Sequence, residues 1–233
     1  TGNQLKTARY RWNWKRRAQQ FPEDDYTTIF DLVTAANSAS GTLVNNLLNI
    51  ADVEEWMRVH AYNRVMGNWD AWTFSVGQNM YLYRQPGRRA VILPWDIDFV
   101  FGLGNGASDG LWGGQDPVGN TLYDTPAFRR MLWRAYLDAV NGPMLEQNYG
   151  PVITALRSAQ TQNNITGLGA TGSINTYINA RRSYILGQIN SQNAAAFAIT
   201  SNGGNNFTST TPTVNLVGTA PFQVATIAVN GVP

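Results

Sequence analysis

The spacing of apolar side chains changes along this 233-residue chain, and these changes constrain the fold more than any other sequence feature. Apolar residues recur at helical spacing over 52–66 and again in segments from about 125 to 189. Between these regions, and again after about residue 196, they alternate with polar residues as in β-strands. The pattern predicts an α+β fold: a mainly helical body with a short β-hairpin, followed by a partial β-sandwich-like C-terminal segment.

The first helix is predicted together with both of its ends. Asp52 followed by Glu55 is a capping-box pattern, in which the first side chain accepts a bond from a free backbone amide and the second reaches back to the helix start. Gly67 is expected to end the helix. His60, the single histidine of the chain, lies on this helix, and we expect it to have a structural role.

Three further helices are predicted downstream. Thr125 followed by Pro126 is a typical helix start, and a Gly-Pro pair stops this helix at 142–143. Another helix is expected from about 144 to 159, and the last begins after Ser173. These helices supply most of the apolar surface that the body can bury.

A β-hairpin is predicted between the first two helices, around a Pro-Gly turn at 85–88. Its second half continues into WDIDFVFG, residues 95–102, where alternation predicts a strand. The apolar side chains of this strand are expected to be buried on one face: Trp95, Ile97, Phe99 and Phe101. The glycine-rich segment 102–119 then predicts a long mobile loop, and such loops tend to be functional.

The same strand would present two carboxylates, Asp96 and Asp98, about 7 Å apart on its other face. Two like charges at this spacing repel each other, and a divalent cation or an arginine near them would relieve the repulsion. This pattern favours a metal site. The alternative is that both aspartates cap a turn at the surface.

Three more polar residues, Asn68, Asp70 and Asn79, follow the first helix. An aspartate and an asparagine facing a carboxylate pair are the groups that phosphoryl transfer requires: an acceptor for a hydroxyl proton and oxygen ligands for magnesium. The alternative is structural, with Asn68 and Asp70 ending the helix and Asn79 lying in a turn.

Composition restricts any chemistry to carboxylates, hydroxyls, amides and arginines. The chain has no cysteine and one histidine, which excludes disulfides, thiolate zinc sites, cysteine nucleophiles and two-histidine mechanisms. No apolar run reaches the roughly 18 to 20 residues of a membrane span. The formal net charge of +2 predicts no nucleic-acid partner, although six of the 17 basic residues lie in the first 17 positions.

The motifs GNWD at 67–70, QNMYLYR at 78–84 and VILPWDIDFVFG at 91–102 occur in this order. Together they resemble the signature of the CotH kinases, the secreted or spore-coat protein kinases named for spore coat protein H. The resemblance extends over about residues 30–192. It implies an atypical protein-kinase fold that uses ATP and Mg²⁺ or Mn²⁺ to phosphorylate Ser or Thr hydroxyls of secreted or surface proteins.

The resemblance also implies a role for each polar residue of the motifs. Asp70 would be the catalytic carboxylate that orients the acceptor hydroxyl. Asn68 and Asn79 would be cofactor-binding residues that support the metal or the phosphates. Asp96 would take the principal metal-binding role, with Asp98 as a second acidic ligand.

This chain departs from the family pattern at the nucleotide-binding lysine. Lys6 and Lys15 are the only lysines, and neither follows a glycine-rich strand pattern. Lys6 would be either a remnant of the family's nucleotide-binding strand or a surface lysine. The predicted organisation is therefore a remnant of an N-terminal part at 1–29, a kinase lobe at 30–196, and the start of a β-sandwich-like domain at 197–233. The last segment could instead be an appendage packed on the lobe.

Two functions remain open from the sequence. The first is an incomplete CotH-type kinase, favoured because a pure scaffold has no need of several converging carboxylates. The second is a non-catalytic CotH-like surface module for adhesion or scaffolding, favoured by the missing nucleotide lobe. The nearly uncharged tail, rich in Asn, Gly, Thr and Ser, is typical of exported bacterial proteins and predicts an extracellular or cell-surface location. Its open strand edges predict self-association.

Overall fold

The computed structural model describes residues 6–17, 24–72, 78–112, 117–192, 195–224 and 226–232. Within these ranges the elements are, in chain order, α1 (Thr7–Asn13), α2 (Thr27–Ala36), α3 (Ser40–Ile50), α4 (Val53–Met66), β1 (Met80–Tyr83), β2 (Val91–Pro94), α5 (Pro117–Asp124), α6 (Pro126–Asn141), α7 (Glu146–Gln162), α8 (Gly172–Gln192), β3 (Ala198–Ile199), a 3-10 turn (Ser201–Gly204) and β4 (Gly218–Thr219). The predicted mainly helical α+β fold is confirmed. No helix of the described residues is both long and apolar enough to cross a membrane.

Helix α4 forms the centre of the body, and its predicted ends are present. The Asp52 side chain accepts a hydrogen bond from the Glu55 amide at 3.2 Å, and Gly67 ends the helix with φ +72°. The second predicted contact, from the Glu55 side chain back to the helix start, is not present. The Glu55 carboxylate accepts a bond from the Ile92 amide at 3.1 Å and so ties α4 to β2, and burial raises the pKa of this carboxyl group.

The hydrophobic core lies between α4 and α6, and α6 also packs against α5 and α8. The most deeply buried apolar side chains come from these helices: Met57, Phe128, Leu132, Tyr136 and Ile185. Full burial of one such side chain stabilises the fold by about 1.5–3 kcal/mol. The predicted helices after residue 125 are present as α6, α7 and α8, with ends shifted by a few residues.

The hairpin of β1 and β2 is confirmed, with Tyr81 opposite Leu93 in an antiparallel register. The predicted strand over 95–101 is wrong, because β2 ends at Pro94. Asp96 and Phe101 both have φ +55°, a left-handed conformation that a β-strand excludes. The apolar side chains expected on a buried face are largely exposed instead: Trp95 at 57%, Ile97 at 41% and Phe99 at 47%.

The glycine-rich segment is only partly a loop. Helix α5 begins at Pro117, inside the predicted range, and residues 113–116 lie outside the described part. Leu111 is buried, and its carbonyl accepts a bond from the Tyr136 hydroxyl at 2.6 Å. The prediction of a long mobile loop therefore does not hold around Leu111, which is fixed in the core.

The C-terminal segment forms two-residue strands and one short turn, so a β-sandwich-like domain at 197–233 is not confirmed. Residues 220–224 instead pack on α6. Phe222 is buried with its ring 5.9 Å from that of Trp133, and the Arg130 guanidinium donates to the carbonyls of Pro221 and Val224, both at 2.9 Å. This part of the tail corresponds to the appendage that the sequence left open.

At the other end of the chain, residues 6–17 and 24–29 of the predicted N-terminal remnant are described. Helix α1 packs on α2 through an edge-to-face contact of Tyr10 with Phe30, whose ring centroids are 5.1 Å apart. Residues 1–5 and 18–23 of the predicted remnant lie outside the described part.

Candidate active site

Asp70 and Asn79 form the buried half of the candidate site. The turn after α4 brings Asp70 to a position where it is only 9% exposed, and Asn79 Nδ2 donates to Asp70 Oδ2 at 2.7 Å. The second oxygen, Asp70 Oδ1, is buried and has no donor among the described residues. A buried carboxylate oxygen without a donor is costly, so a hydroxyl group or a cation that reached this atom would satisfy it.

The backbone of Asn79 connects this buried half to the carboxylates that follow β2. Asn79 has φ +59°, and its carbonyl accepts a bond from the Trp95 amide at 3.0 Å. Asp96, the next residue, is also left-handed. Non-glycine residues in this conformation are uncommon, although Asn and Asp tolerate it best, and clusters of them are often found at functional sites. A backbone bond from the residue before Asp96 thus links the Asp96 segment to Asn79.

Asp96 and Asp98 form the exposed half of the site. Both lie on the irregular segment after β2, and neither forms a hydrogen bond or an ion pair with a described residue. Two edge-to-face ring contacts occur at the same segment: Trp69 with Phe99 at 6.3 Å and Tyr81 with Trp95 at 5.4 Å between ring centroids. The two carboxylates are therefore accessible. Exposed aromatic side chains lie on either side of them in the sequence, Trp95 before Asp96 and Phe99 after Asp98.

The side chain of Asn68 is directed towards helix α4. Its Nδ2 donates to Asn63 Oδ1 at 3.1 Å, and Asn68 is only 1% exposed. Among the described residues, no hydrogen bond joins Asn68 to Asp70 or Asn79. The structure therefore brings Asp70 and Asn79 into direct contact, whereas Asn68 is bonded to α4. The cofactor-binding role of Asn68 stays a prediction.

Gly104 belongs to the construction of the site, although sequence reasoning treated it only as part of a glycine-rich loop. A Cβ atom at this position would lie 2.5 Å from the Phe99 carbonyl oxygen and 2.7 Å from the Gly67 carbonyl oxygen. Only glycine allows the turn after Asp98 to pack this closely on the end of α4. No local signal distinguishes Gly104 from its neighbouring glycines.

His60 lies outside the site. Its Nε2 is 3.2 Å from the Leu111 carbonyl oxygen, and its ring is 4.4 Å from that of Tyr123. Burial, and secondarily the charge of Arg64, lowers the pKa of His60 well below its ordinary value. These contacts agree with the structural role expected for this residue.

The two lysines lie in the N-terminal part of the chain, one at each end of α1. Lys6 precedes α1 and Lys15 follows it, and both are exposed. Neither forms a hydrogen bond or an ion pair with a described residue. Among the described residues, therefore, no lysine is bonded to Asp70, Asn79, Asp96 or Asp98.

Carboxylate oxygens, the donor type that a divalent cation prefers, are present in both halves of the site. No group of three or more His, Asp or Glu side chains suited to a metal occurs among the described residues. In phosphoryl-transfer sites, however, Mg²⁺ is usually bound by one or two carboxylates, with waters and substrate phosphates as the other ligands. Asp96, Asp98 and the unpartnered Asp70 Oδ1 offer oxygens of this type.

The family model described as CotH kinase protein matches residues 3–185, more than half of the chain, and the chain belongs to the CotH kinase family. The resemblance noticed in the sequence is thus confirmed, and the match begins closer to the N-terminus than residue 30. No curated protein matched the chain. Membership supports a kinase-like function in general, and a kinase family implies ATP and a divalent metal in general.

Proposed function

We propose that this chain carries the catalytic residues of an ATP- and divalent-metal-dependent kinase that phosphorylates Ser or Thr hydroxyls of secreted or surface proteins. One observation carries the proposal: the buried Asp70 carboxylate is held by Asn79 through Oδ2, while Oδ1 has no donor among the described residues. A fixed carboxylate with one free oxygen is what an acceptor hydroxyl needs for its alignment.

Asp70 would act as the proton acceptor. Asn79 holds the carboxylate in one orientation and leaves Oδ1 for the substrate hydroxyl. As the hydroxyl oxygen bonds to the γ-phosphorus of ATP, the bond from that phosphorus to the β–γ bridging oxygen breaks and ADP leaves. The hydroxyl proton passes to Asp70 Oδ1, which balances the reaction.

Asp96 and Asp98 would hold the divalent cation. Both carboxylates are exposed and make no ion pair with a described residue, so neither must give up a protein partner to bind a metal. A bound cation would neutralise the charge of the ATP phosphates. Asn79 links this metal-binding half to Asp70 through its carbonyl bond to the Trp95 amide.

The proposal is tested by the variant Asp70→Asn, with Asp124→Asn as the matched control. Asp124 is exposed and makes only a 3.9 Å ion pair with Arg129. We expect Asp70→Asn to lower the rate of phosphate transfer from ATP by about a hundredfold or more, because an amide cannot accept the proton. The control should transfer phosphate at the wild-type rate. Equal rates in wild type and Asp70→Asn, with a protein substrate and Mg²⁺ or Mn²⁺ present, would contradict the proposal.

A second candidate function is a non-catalytic surface module for adhesion or scaffolding. It is favoured by the positions of Lys6 and Lys15, which are exposed and make no bond to described site residues. Calorimetry with ATP and Mn²⁺ distinguishes the two functions. A folded wild-type protein that binds neither would support the module, whereas metal-dependent ATP binding would support the kinase.

We also propose that the protein is extracellular or attached to the cell surface. The support comes from composition: after Glu146 the only charged residues are Arg157, Arg181 and Arg182, and the tail is rich in Asn, Gly, Thr and Ser. Fractionation of the source cells tests this location. Recovery of the protein only from the cytosol would contradict it.

A further inference from the structure

Arg181 of helix α8 is buried behind the candidate site and binds two different segments of backbone. It is 1% exposed. Its Nε and Nη2 donate to the Arg64 carbonyl at 3.1 and 2.7 Å, and its Nη1 donates to the Ala107 and Asp109 carbonyls at 2.9 and 2.5 Å. One guanidinium therefore joins the C-terminal end of α4 to the loop that precedes Leu111.

The charge of Arg181 is balanced by backbone groups. No carboxylate of the described residues forms an ion pair with it. The Arg64 carbonyl belongs to the last turn of α4, where the helix dipole and the unpaired carbonyls favour a positive charge. A buried cation is costly unless its donors are satisfied. The bonds of Arg181 offset this cost only when the Arg64 carbonyl and the loop carbonyls are held at the right positions.

The two segments that Arg181 joins lead to the two halves of the site. The end of α4 continues through Gly67 to Asp70, and the loop is the continuation of the segment that carries Asp96. Two backbone bonds already connect them: the Phe101 amide to the Met66 carbonyl at 2.7 Å, and the Asn105 amide to the Gly67 carbonyl at 2.9 Å. Arg181 adds side-chain bonds to this junction from a third element.

We propose that Arg181 is a positioning residue, which sets the placement of the Asp96 segment relative to Asp70 by holding this junction together. Its catalytic consequence rests on the proposed kinase function. Arg181 touches neither Asp70 nor Asp96, so its effect is transmitted through the backbone at Arg64 and at 107–109.

The neighbouring arginine provides a matched control. Arg182 lies on the same helix, and its Nε donates to the Val140 carbonyl of α6 at 2.8 Å, away from the junction. Replacement of either residue by lysine keeps the charge. A lysine at position 181 has a single nitrogen and lacks the planar fork that reaches Arg64 and the loop carbonyls together.

The experiment compares Arg181→Lys with Arg182→Lys in the full chain. Steady-state phosphate transfer gives kcat and the KM for ATP, and amide hydrogen exchange gives the protection of residues 101–111. We expect Arg181→Lys to lower kcat about tenfold with KM changed less than threefold, and to raise exchange at 101–111. Arg182→Lys should leave kcat and this exchange at wild-type values. Equal losses of kcat in the two variants would overturn the proposal.

Gly104→Ala tests the junction independently of α8, and it also serves if Arg181→Lys does not fold. A methyl group there must push the Phe99 and Gly67 carbonyls apart. It should reproduce the loss of kcat and the faster exchange, and an unchanged kcat would overturn the proposal. If the wild type itself transfers no phosphate, faster exchange in Arg181→Lys alone would still support the structural role, and the proposed function would be what fails.

Discussion

The two halves of the candidate site are built in different ways. Asp70 is buried and receives a 2.7 Å bond from Asn79, whereas Asp96 and Asp98 are exposed and bind no described residue. Folding therefore fixes the half that we propose accepts the proton, while the half that we propose binds the metal makes no side-chain bond to a described residue. Changes in the first half should affect both the free energy of unfolding and the rate, and changes in the second should affect affinity alone.

The largest effect on the free energy of unfolding is expected from Asn79→Ala, which changes the fixed half. The variant loses the bond to the Asp70 carboxylate and places alanine at φ +59°. Bonds to charged groups contribute about 1.5–3 kcal/mol, so the free energy of unfolding should fall by about 2 kcal/mol or more. The rate of phosphate transfer should fall at least tenfold. Urea denaturation and steady-state kinetics measure the two effects.

Asn79→Gly separates the two causes in this prediction. Glycine adopts a positive φ without strain but also lacks the amide donor. It should recover part of the stability lost in the alanine variant while its transfer rate stays low. Full recovery of the rate in the glycine variant would show that the bond to Asp70 has no part in catalysis.

Asp96→Asn tests the exposed half. We expect the affinity for ATP with Mg²⁺ or Mn²⁺ to fall about tenfold, which corresponds to about 1.4 kcal/mol, because one charged ligand is lost. The unfolding midpoint should stay at the wild-type value, since Asp96 binds no described residue. Isothermal titration calorimetry provides the affinity. An unchanged affinity, or a large loss of stability, would remove the distinction between the two halves.

We expect acid to destabilise the folded protein through His60. This residue is buried on α4, the helix that precedes Asp70. Because burial lowers its pKa below the ordinary value of 6.5, the unfolded chain binds a proton more readily than the folded one. The stabilisation is complete above pH 6.5 and is lost as the pH falls below it, by up to about 1.4 kcal/mol per pH unit. Urea unfolding of wild type and His60→Gln from pH 7.5 to 5 should show a steeper acid decline in the wild type. Parallel profiles would contradict this prediction.

The smallest effect is expected from Asp98→Asn. Asp96 and Asp98 are both exposed, but the family resemblance gives Asp98 only the role of a second acidic ligand, and such an accessible charge contributes about 1 kcal/mol or less. The affinity for the metal–ATP complex should therefore fall about threefold or less, with stability unchanged. A greater loss than in Asp96→Asn, measured by the same calorimetry, would reverse the assignment of the principal metal ligand.

Local signals predicted four of the eight described α-helices, namely α4, α6, α7 and α8, and part of the site. Helix α4 could be predicted because its capping residue, its apolar spacing and Gly67 are all neighbours in sequence. The grouping of Asp70 with Asn79 was predicted from their positions after α4, and the family resemblance added their roles. The alternation at 95–101 was misleading, because it does not reveal the left-handed φ of Asp96 and Phe101 that breaks the strand.

The long-range contacts could not be predicted. Arg181 binds a carbonyl 117 residues earlier in the chain, and Phe222 packs on Trp133 of α6. In the sequence, Arg181 is one of two adjacent arginines on a helix, and nothing in the pattern distinguishes the buried one from its neighbour. Such contacts depend on how complete elements pack, and one sequence contains no local record of that packing.

The attachment of residues 220–224 to α6 determines how a mechanical load on the C-terminus would enter the body. A pull on residue 232 would first meet the Arg130 bonds to the Pro221 and Val224 carbonyls and the ring contact of Phe222. Tension would therefore be taken up at α6 in the core, and the end of α8 would carry none of it until these contacts broke. The pairing of β3 with β4, which lies between α8 and Pro221 in the chain, would be loaded only after this anchor yields.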